Sequence, residues 1–258
     1  MIDFLSTIGR RVMDLFGIAG RLALFVLSAI SHCFRPPFYF RNVLHQFWTI
    51  GYNSLPVVGL TAVFTGAVLA LQASVGFSKL TAPAAIPMLV VVSVTRELGP
   101  VLASLMVAGR VGAAIAAELG TMRVTEQIDA LDTLATNPMK YLVVPRILAG
   151  LLMMPLLVLI ADVVGVMGGF MVSSFILGLN ESAYLISTIA ALHPADVISG
   201  LVKAAVFGLI ITLLGCFNGY HSRGGAQGVG AATTNAVVYA SVLILFFDYF
   251  LTELFLTQ

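Results

Sequence analysis

The chain has 258 residues, of which 59% are hydrophobic and 10% charged, with a formal net charge of +1. An average soluble domain carries roughly 25% charged residues, so this composition excludes an ordinary soluble fold and indicates membrane-spanning helices. The near-neutral charge gives no basis for a nucleic-acid partner. Because each span needs roughly 20 apolar residues, we expect five or six spans within one membrane domain over residues 1–258.

Residues 1–34 predict an amphipathic helix. Apolar residues recur near helical spacing in its first part, with charged residues between them. The apolar run from Leu22 to Ile30 is too short to cross a bilayer. We therefore expect an interfacial helix that ends at Arg35-Pro36-Pro37.

Five later segments are long and apolar enough to cross a bilayer, at about 52–76, 84–109, 141–178, 196–219 and 231–256. Residues 141–178 contain Pro145, Pro155 and Asp162, and form either one long tilted helix or two shorter ones; we favour one. Five spans place most basic residues on one side, which by the positive-inside rule is cytoplasmic and holds the amino terminus. The residues concerned are Arg35, Arg41, Arg110, Arg123, Lys140, Arg146 and Arg223.

The longest predicted inside loop, about 110–146, contains a short helix. Thr125 is its predicted N-cap, and Asn137-Pro138 ends the segment. Periodicity leaves two interpretations open, a docking ridge for a partner protein and a solvated helix on the membrane surface. The apolar face would consist of Ile128, Leu131 and Leu134, and the acidic face of Glu126, Asp129 and Asp132.

Arg96 and Glu97 lie together in the middle of the second predicted span. Ionisable groups inside a span usually face a cavity or a charged partner. These two either line a polar pocket, in which Arg96 holds a phosphate and Glu97 a cationic group, or form a structural ion pair between helices. Lys203, near the outer end of another span, is expected to extend toward the interface.

The sequence contains no motif for catalysis. GxxxxGK[ST] is absent, and the glycine-rich loop 222–228 follows a membrane helix instead of a strand. The histidines and the two cysteines are scattered, so no metal site is predicted. We conclude that the chain is not an enzyme and has no cofactor of its own. Small residues such as Gly66, Gly165 and Gly169 predict close helix packing instead.

The stretch RELGPVLASLMVAGRVGAAIAAELGTMRVTEQIDAL, from Arg96 to Leu131, closely resembles the signature of the MlaE family of ABC permeases. The NPMKYLVVPR and NGYHSRGGAQGVG loops are similar as well. The resemblance implies an all-α integral membrane protein of the bacterial inner membrane, with an amino-terminal interfacial helix, a five-span bundle over 52–256 and a periplasmic carboxyl terminus. It implies a permease subunit of an ATP-driven transporter that moves phospholipid between the inner and outer membranes and maintains outer-membrane lipid asymmetry.

The same resemblance implies several partners. The chain would form a homodimer with a separate cytoplasmic ABC ATPase (MlaF-like), which binds ATP and Mg, a STAS-domain protein (MlaB-like) and a periplasmic ring of MCE-domain subunits (MlaD-like). A coupling helix at about 119–135 would contact the ATPase through Glu118, Leu119, Arg123, Glu126, Ile128, Asp129 and Leu131. The first, second and fifth spans would help to form a lipid cavity, with Arg96 and Glu97 for the head group and Leu69, Leu71, Val75 and Leu98 for the apolar wall.

Two other classes of function remain open from the residues. One is an ion- or proton-coupled carrier in which Glu97 or Asp162 titrates, although no evident inverted repeat supports it. The other is a scaffold that anchors the ATPase and MCE subunits without transporting anything.

Overall fold

The computed structural model describes residues 2–33, 35–36, 39–77 and 82–256, and within these ranges all regular structure is helical. The α-helices are α1 (Ile2–Cys33), α2 (Phe40–Ile50), α3 (Leu55–Gly76), α4 (Ala82–Ser93), α5 (Gly99–Val107), α6 (Ala113–Val124), α7 (Gln127–Thr133), α8 (Val144–Phe175), α9 (Glu181–Ala191), α10 (Pro194–Tyr220) and α11 (Gly225–Leu256). A 3₁₀ turn at Tyr52–Ser54 joins α2 to α3. Three π-helical segments occur at Val94–Leu98, Ala108–Gly112 and Met139–Val143.

Five helical stretches are long and apolar enough to cross a membrane, as the sequence predicted. They are Phe40–Gly76, Ala84–Val124, Met139–Phe175, Pro194–Tyr220 and Gly225–Phe255. The third span contains the single helix α8, which confirms the preference for one helix. With five crossings, α2, α7 and residues 221–224 lie at one end of the bundle, here called the near end. The end of α3, α9 and the end of α11 lie at the opposite, far end.

The second span was predicted to end at residue 109, and that prediction is wrong. The helical path continues to Val124 because a π-helical segment, not a loop, surrounds Arg110. The Arg110 guanidinium donates to the Thr49 carbonyl at 2.7 Å and to Ser54 Oγ at 2.9 Å, so it joins two spans. Arg146, also assigned to the loop, is a buried residue of α8. The loop therefore shortens to residues 125–138.

Helix α1 runs to Cys33 without interruption, as predicted, and its second half packs on the bundle. Phe25 and Ala29 are buried, and the Phe25 ring centroid lies 5.6 Å from that of Phe217 on α10. Leu24 and Leu27 on the opposite face are exposed. An exposed apolar face suits contact with lipid, and the interfacial position of α1 stays a prediction.

Two short helices, α2 and α9, were not predicted. Helix α2 follows Arg35-Pro36-Pro37, where the amino-terminal helix is expected to end, and begins the first span. Helix α9 lies at the far end and begins at Asn180, whose side-chain oxygen accepts from the Ala183 N–H at 3.2 Å. Its Tyr184 is buried against Phe170, and this burial raises the pKa of Tyr184 to about 12. The phenol therefore stays neutral in that contact.

Glycines bring α3 and α8 together near the middle of the bundle. A Cβ at Gly66 would collide with the Gly165 carbonyl, and Gly169 lies beside the same contact. Close backbone approach of this kind supplies the packing contacts that hold membrane helices together. The close packing predicted at Gly66, Gly165 and Gly169 is confirmed.

We expect Gly66→Ala to destabilise the folded protein by roughly 1–3 kcal/mol, because the new methyl group overlaps backbone that cannot move aside. Thermal unfolding of the purified chain in mild detergent measures the change. Gly59→Ala is the matched control, since Gly59 lies on the same helix and no atom lies within 4 Å of the position that its new methyl group would take. Equal unfolding temperatures for the two variants would contradict the predicted contact.

Candidate functional site

The second span changes its helical geometry at Arg96 and Glu97. The π-helical segment Val94–Leu98 is followed by Gly99 and Pro100, and the Gly99 N–H bonds to the Val94 carbonyl five residues earlier. Pro100 has no N–H to donate to the carbonyl of Arg96. That carbonyl lies instead 3.2 Å from the Lys203 ammonium of α10. The Gly99-Pro100 sequence therefore leaves the Arg96 carbonyl available inside the bundle, and the buried Lys203 ammonium donates to it.

Lys203 is the centre of a network that joins three spans. Its ammonium lies 2.8 Å from Glu97 Oε1, 3.1 Å from Asp248 Oδ1 and 2.7 Å from Thr252 Oγ1. The Lys203 side chain is only 2% exposed. A buried charge is tolerated in an apolar interior only when it is paired and hydrogen-bonded. The expectation that Lys203 extends to the membrane interface is therefore wrong, because the side chain is buried and oxygens of Glu97, Asp248 and Thr252 bind its ammonium inside the bundle.

A second ion pair lies beside the first. Arg96 Nε is 2.6 Å from Asp196 Oδ1, in the first turn of α10, and Asp196 is almost fully buried. Close approach of α10 is possible because Gly200 has no Cβ, which would overlap the Thr95 carbonyl. Arg96 and Glu97 therefore form structural ion pairs with Asp196 and Lys203 of α10. Their exposed atoms can still serve a second role.

Arg96, Glu97 and Lys203 line a cavity of about 300 Å³ at the far end, open toward the outside of the single chain. Arg96 is 43% exposed and Glu97 39% exposed. Within the described residues, the two terminal nitrogens of Arg96 and Oε2 of Glu97 form no hydrogen bond. The remaining wall includes Ala195, Ser199, Thr252 and Phe255. The cavity thus offers a cationic group and an anionic group beside an apolar surface.

Arg96 also borders a second cavity, of about 440 Å³, between α4 and α9. Met88 and Ala191 contribute apolar surface there, and His193 and Asp196 lie at its polar edge. The Arg96–Asp196 pair therefore separates two cavities at the far end.

The predicted apolar wall residues lie elsewhere in the single chain. Leu98 faces α3 and α8 and borders a small void with Val58 and Ala161. Leu69 packs against the far-end cluster that contains Tyr184. Leu71 is 40% exposed and Val75 is 88% exposed on the outer surface of α3. None of the four lines the 300 Å³ cavity, so their contact with cargo stays a prediction.

Sequence reasoning missed Asp196, Lys203, Asp248 and Thr252 as parts of the site. Three of them are charged residues near the far ends of α10 and α11, and charge inside an apolar helix was the available signal. Asp162, the other carboxylate considered, is buried against Gly99, and neither oxygen has a hydrogen-bond partner among the described residues. It does not bond to the Lys203 network.

The predicted coupling helix consists of two helices at the near end. Helix α6 ends at Val124, and α7 begins after Glu126, which has a left-handed backbone with φ of 60°. Thr125 is not an N-cap, because its hydroxyl donates back to the Thr121 carbonyl at 2.8 Å. The chain therefore changes direction at residues 125–126.

The seven predicted coupling residues fall into two groups. Leu119 and Ile128 are fully buried in this chain's own core and Leu131 is partly buried, so the apolar side of α7 holds it to the bundle. Leu119 and Ile128 therefore expose no surface in the single chain, and their contact with a partner stays a prediction. Glu118, Arg123, Glu126 and Asp129 retain exposed atoms, although Glu118 pairs with Arg146 at 2.8 Å and Arg123 with Asp129 at 2.6 Å. Together with Asp132 and the exposed Leu134, these four residues form the exposed surface around α7 and the end of α6.

Comparison with known proteins gives a consistent result. The family described as "Permease MlaE" matches residues 43–254. A "Probable ABC transporter permease protein" of Rickettsia bellii is 56% identical, over 99% of this chain and 98% of that protein. The "Intermembrane phospholipid transport system permease protein MlaE" of Haemophilus influenzae is 32% identical over 98% of both chains. "Protein TRIGALACTOSYLDIACYLGLYCEROL 1, chloroplastic" of Arabidopsis thaliana is 38% identical over 92% of this chain and 66% of that protein.

We expect Lys203→Met to destabilise the protein by roughly 3–5 kcal/mol, because it leaves the Glu97 and Asp248 carboxylates close together without a cation. Adding Glu97→Gln and Asp248→Asn should recover most of the loss. Thermal unfolding in detergent measures both steps. Arg223→Met, which removes an exposed cation from a loop, is the control and should change stability by less than about 0.5 kcal/mol. No loss in Lys203→Met would contradict the network.

Proposed function

Since the chain belongs to the MlaE family of ABC transporter permeases, we propose that it is the membrane subunit of an ATP-driven phospholipid transporter that acts between the inner and outer membranes and maintains outer-membrane lipid asymmetry. The observation that carries the proposal is the 300 Å³ far-end cavity, where Arg96 and Glu97 expose opposite charges beside Phe255. A phospholipid head group carries a phosphate and in many cases an amine, and the two side chains match these groups. The name of the Haemophilus relative agrees with this cargo.

The proposed orientation places the near end in the cytoplasm and the far end in the periplasm. Arg35, Arg41, Arg123, Lys140 and Arg223 all lie at the near end. On the far side, residues 66–93 contain one basic residue, Lys79, and residues 165–194 and 249–256 contain none, while Arg96 and Lys203 are paired with carboxylates. Short cytoplasmic segments are enriched in basic residues relative to exported ones, which supports this orientation in the bacterial inner membrane.

The chain is proposed to act as a homodimer. In the first and fifth spans only 22% of the most apolar stretch is buried, against 50%, 44% and 56% in the second, third and fourth. These two spans therefore have the largest apolar surface for lipid or for a second copy. Pairing two copies across them would enclose the open side of the far-end cavity and bring Leu71 and Val75 toward the cargo.

The near-end surface of α7 is proposed to contact a separate ABC ATPase, which binds ATP and Mg. The support is its position and its exposed groups: Glu126, Asp129, Asp132 and Leu134 project from a helix whose other side is fixed by Ile128. Because α7 is packed against the core of this chain, a displacement of α7 by a partner would be transmitted to the bundle. By similarity to the family, a STAS-domain protein and a periplasmic MCE-domain ring would complete the complex.

ATP binding would draw the two ATPase subunits together and displace α7. Helix α6 is continuous with the second span, which carries Arg96 and Glu97 at its other end. Displacement at the near end would therefore change the far-end cavity and release its lipid. Family membership favours this transporter over a proton-coupled carrier, and Glu97 is paired with Lys203 within the bundle.

Glu126→Lys with Asp132→Lys should abolish co-purification of the ATPase, because the surface changes from acidic to basic while the Arg123–Asp129 pair stays intact. Affinity capture of the tagged permease from its own membrane measures the association. Glu181→Lys with Glu253→Lys makes the same change of charge at the far end and should leave co-purification unchanged. Retained ATPase in the first variant would remove the α7 assignment.

Ala195→Trp should reduce ATP-dependent transfer of phospholipid by tenfold or more, because the exposed Ala195 lines the cavity and an indole would fill much of it. Transfer is measured with the complete complex in proteoliposomes and fluorescent phospholipid. Ile189→Trp, on the exposed face of α9 at the same end, is the matched control and should transfer normally. Normal transfer in Ala195→Trp, with the ATPase bound, would favour the scaffold or another cargo.

A further inference from the structure

A polar cavity also lies at the near end, between α2 and the beginning of α8. Its volume is about 270 Å³, and its polar wall includes Arg41, His45, Glu118 and Arg146. None of these residues belongs to the far-end network. The cavity is therefore separate from the far-end site, and of the four wall residues only Glu118 also belongs to the near-end surface described above.

Arg146 is a buried cation in the wall of this cavity. The side chain is only 3% exposed; Nη1 donates to the Leu142 carbonyl at 2.6 Å, and Nη2 lies 2.8 Å from Glu118 Oε1. Its Nε is buried and has no hydrogen-bond partner among the described residues. A buried donor on a charged group is costly to leave without an acceptor. The other two nitrogens are held by the Leu142 carbonyl and Glu118, so Arg146 adds a fixed positive charge to the wall of the cavity.

The charge of the wall selects the sign of that ligand. Arg41 is exposed and makes no ion pair in the part of the chain that the structure describes, whereas Arg146 is matched by Glu118 alone. Two guanidinium groups and one carboxylate leave an excess of one positive charge, and the His45 ring lies in the same wall. The exposed Arg41 guanidinium can bind phosphate oxygens in bidentate geometry, and the excess positive charge of the wall suits such an anion.

The depth of the cavity indicates where the phosphate comes from. Trp48 and Tyr52, the next exposed aromatic residues along the first span, stack with ring centroids 4.1 Å apart. Trp and Tyr concentrate at the level of lipid head groups. His45 and Arg41 lie one and two turns closer to the near end. A further cavity of about 490 Å³ follows along the same two elements, with an apolar wall that includes Trp48 and Ile160.

We propose that the near-end cavity is a binding site for the phosphate of an anionic phospholipid in the near-end leaflet, with an acyl chain against the apolar cavity that contains Trp48. The site is separate from the far-end cavity, so the proposal stands whichever cargo that cavity takes. It gives the chain a contact with lipid in each leaflet.

Trp48 reports on this site directly, because it is the only tryptophan in the chain. The full-length protein is reconstituted in bilayers of unlabelled phosphatidylcholine, and brominated phosphatidylglycerol or brominated phosphatidylcholine is added stepwise as a quencher. The expected result is half-maximal quenching of Trp48 at several-fold lower mole fraction of the anionic lipid. Arg41→Gln with His45→Gln should reduce this preference at least about fivefold, the effect expected when one arginine near the membrane surface is lost.

The controls separate the possible outcomes. Both substituted residues are exposed, so the variant should unfold at the wild-type temperature, and Arg41→Gln alone provides a milder change. Arg223→Gln removes an exposed near-end arginine outside the cavity and should keep the preference. Equal quenching by both lipids in the wild type, or an unchanged preference in the double variant, would overturn the proposal. Loss of the preference on adding millimolar inorganic phosphate would assign the site to a soluble anion and overturn the lipid assignment.

Discussion

The burial of one ammonium group, that of Lys203, decides how three spans meet at the far end. An almost fully buried cation in an apolar bundle requires oxygens around it, and they come from the second span as Glu97 and the Arg96 carbonyl, and from the fifth as Asp248 and Thr252. These contacts fix the register of α10 and α11 against the π-helical segment. Arg96 reaches Asp196 only in that register, so the shape of the cavity also depends on Lys203.

Much of the fold could be predicted because its causes are local. The apolar length of each segment determines the five spans, and it also made α8 a single helix despite Pro155. Gly66 and Gly165 predict a close contact between helices even before the partner helix is known. The resemblance of residues 96–131 to a known family was sufficient to identify the class of protein, and residues 43–254 match that family.

The site could be predicted only in part because its partners are distant in sequence. Glu97 and Lys203 are 106 residues apart, and no periodicity relates them. The burial of Ile128 likewise depends on how α7 packs, since the same apolar stripe would serve a docking ridge or a core contact. Arg110 was assigned to a loop because it is charged, whereas the Thr49 carbonyl and the Ser54 hydroxyl satisfy it inside the bundle.

The second span, Ala84–Val124, is one continuous helical path of 41 residues. At about 1.5 Å per residue it is about 60 Å long, roughly twice the thickness of the hydrocarbon core. With no loop between its two ends, this path would transmit a displacement from one side of the membrane to the other. This helical path can bend at its two π-helical segments, because the regular hydrogen-bond ladder is interrupted there. One π-helical segment contains Arg96 and the other contains Arg110. Each position where the helix can bend is therefore held by an arginine that is bound to a neighbouring span.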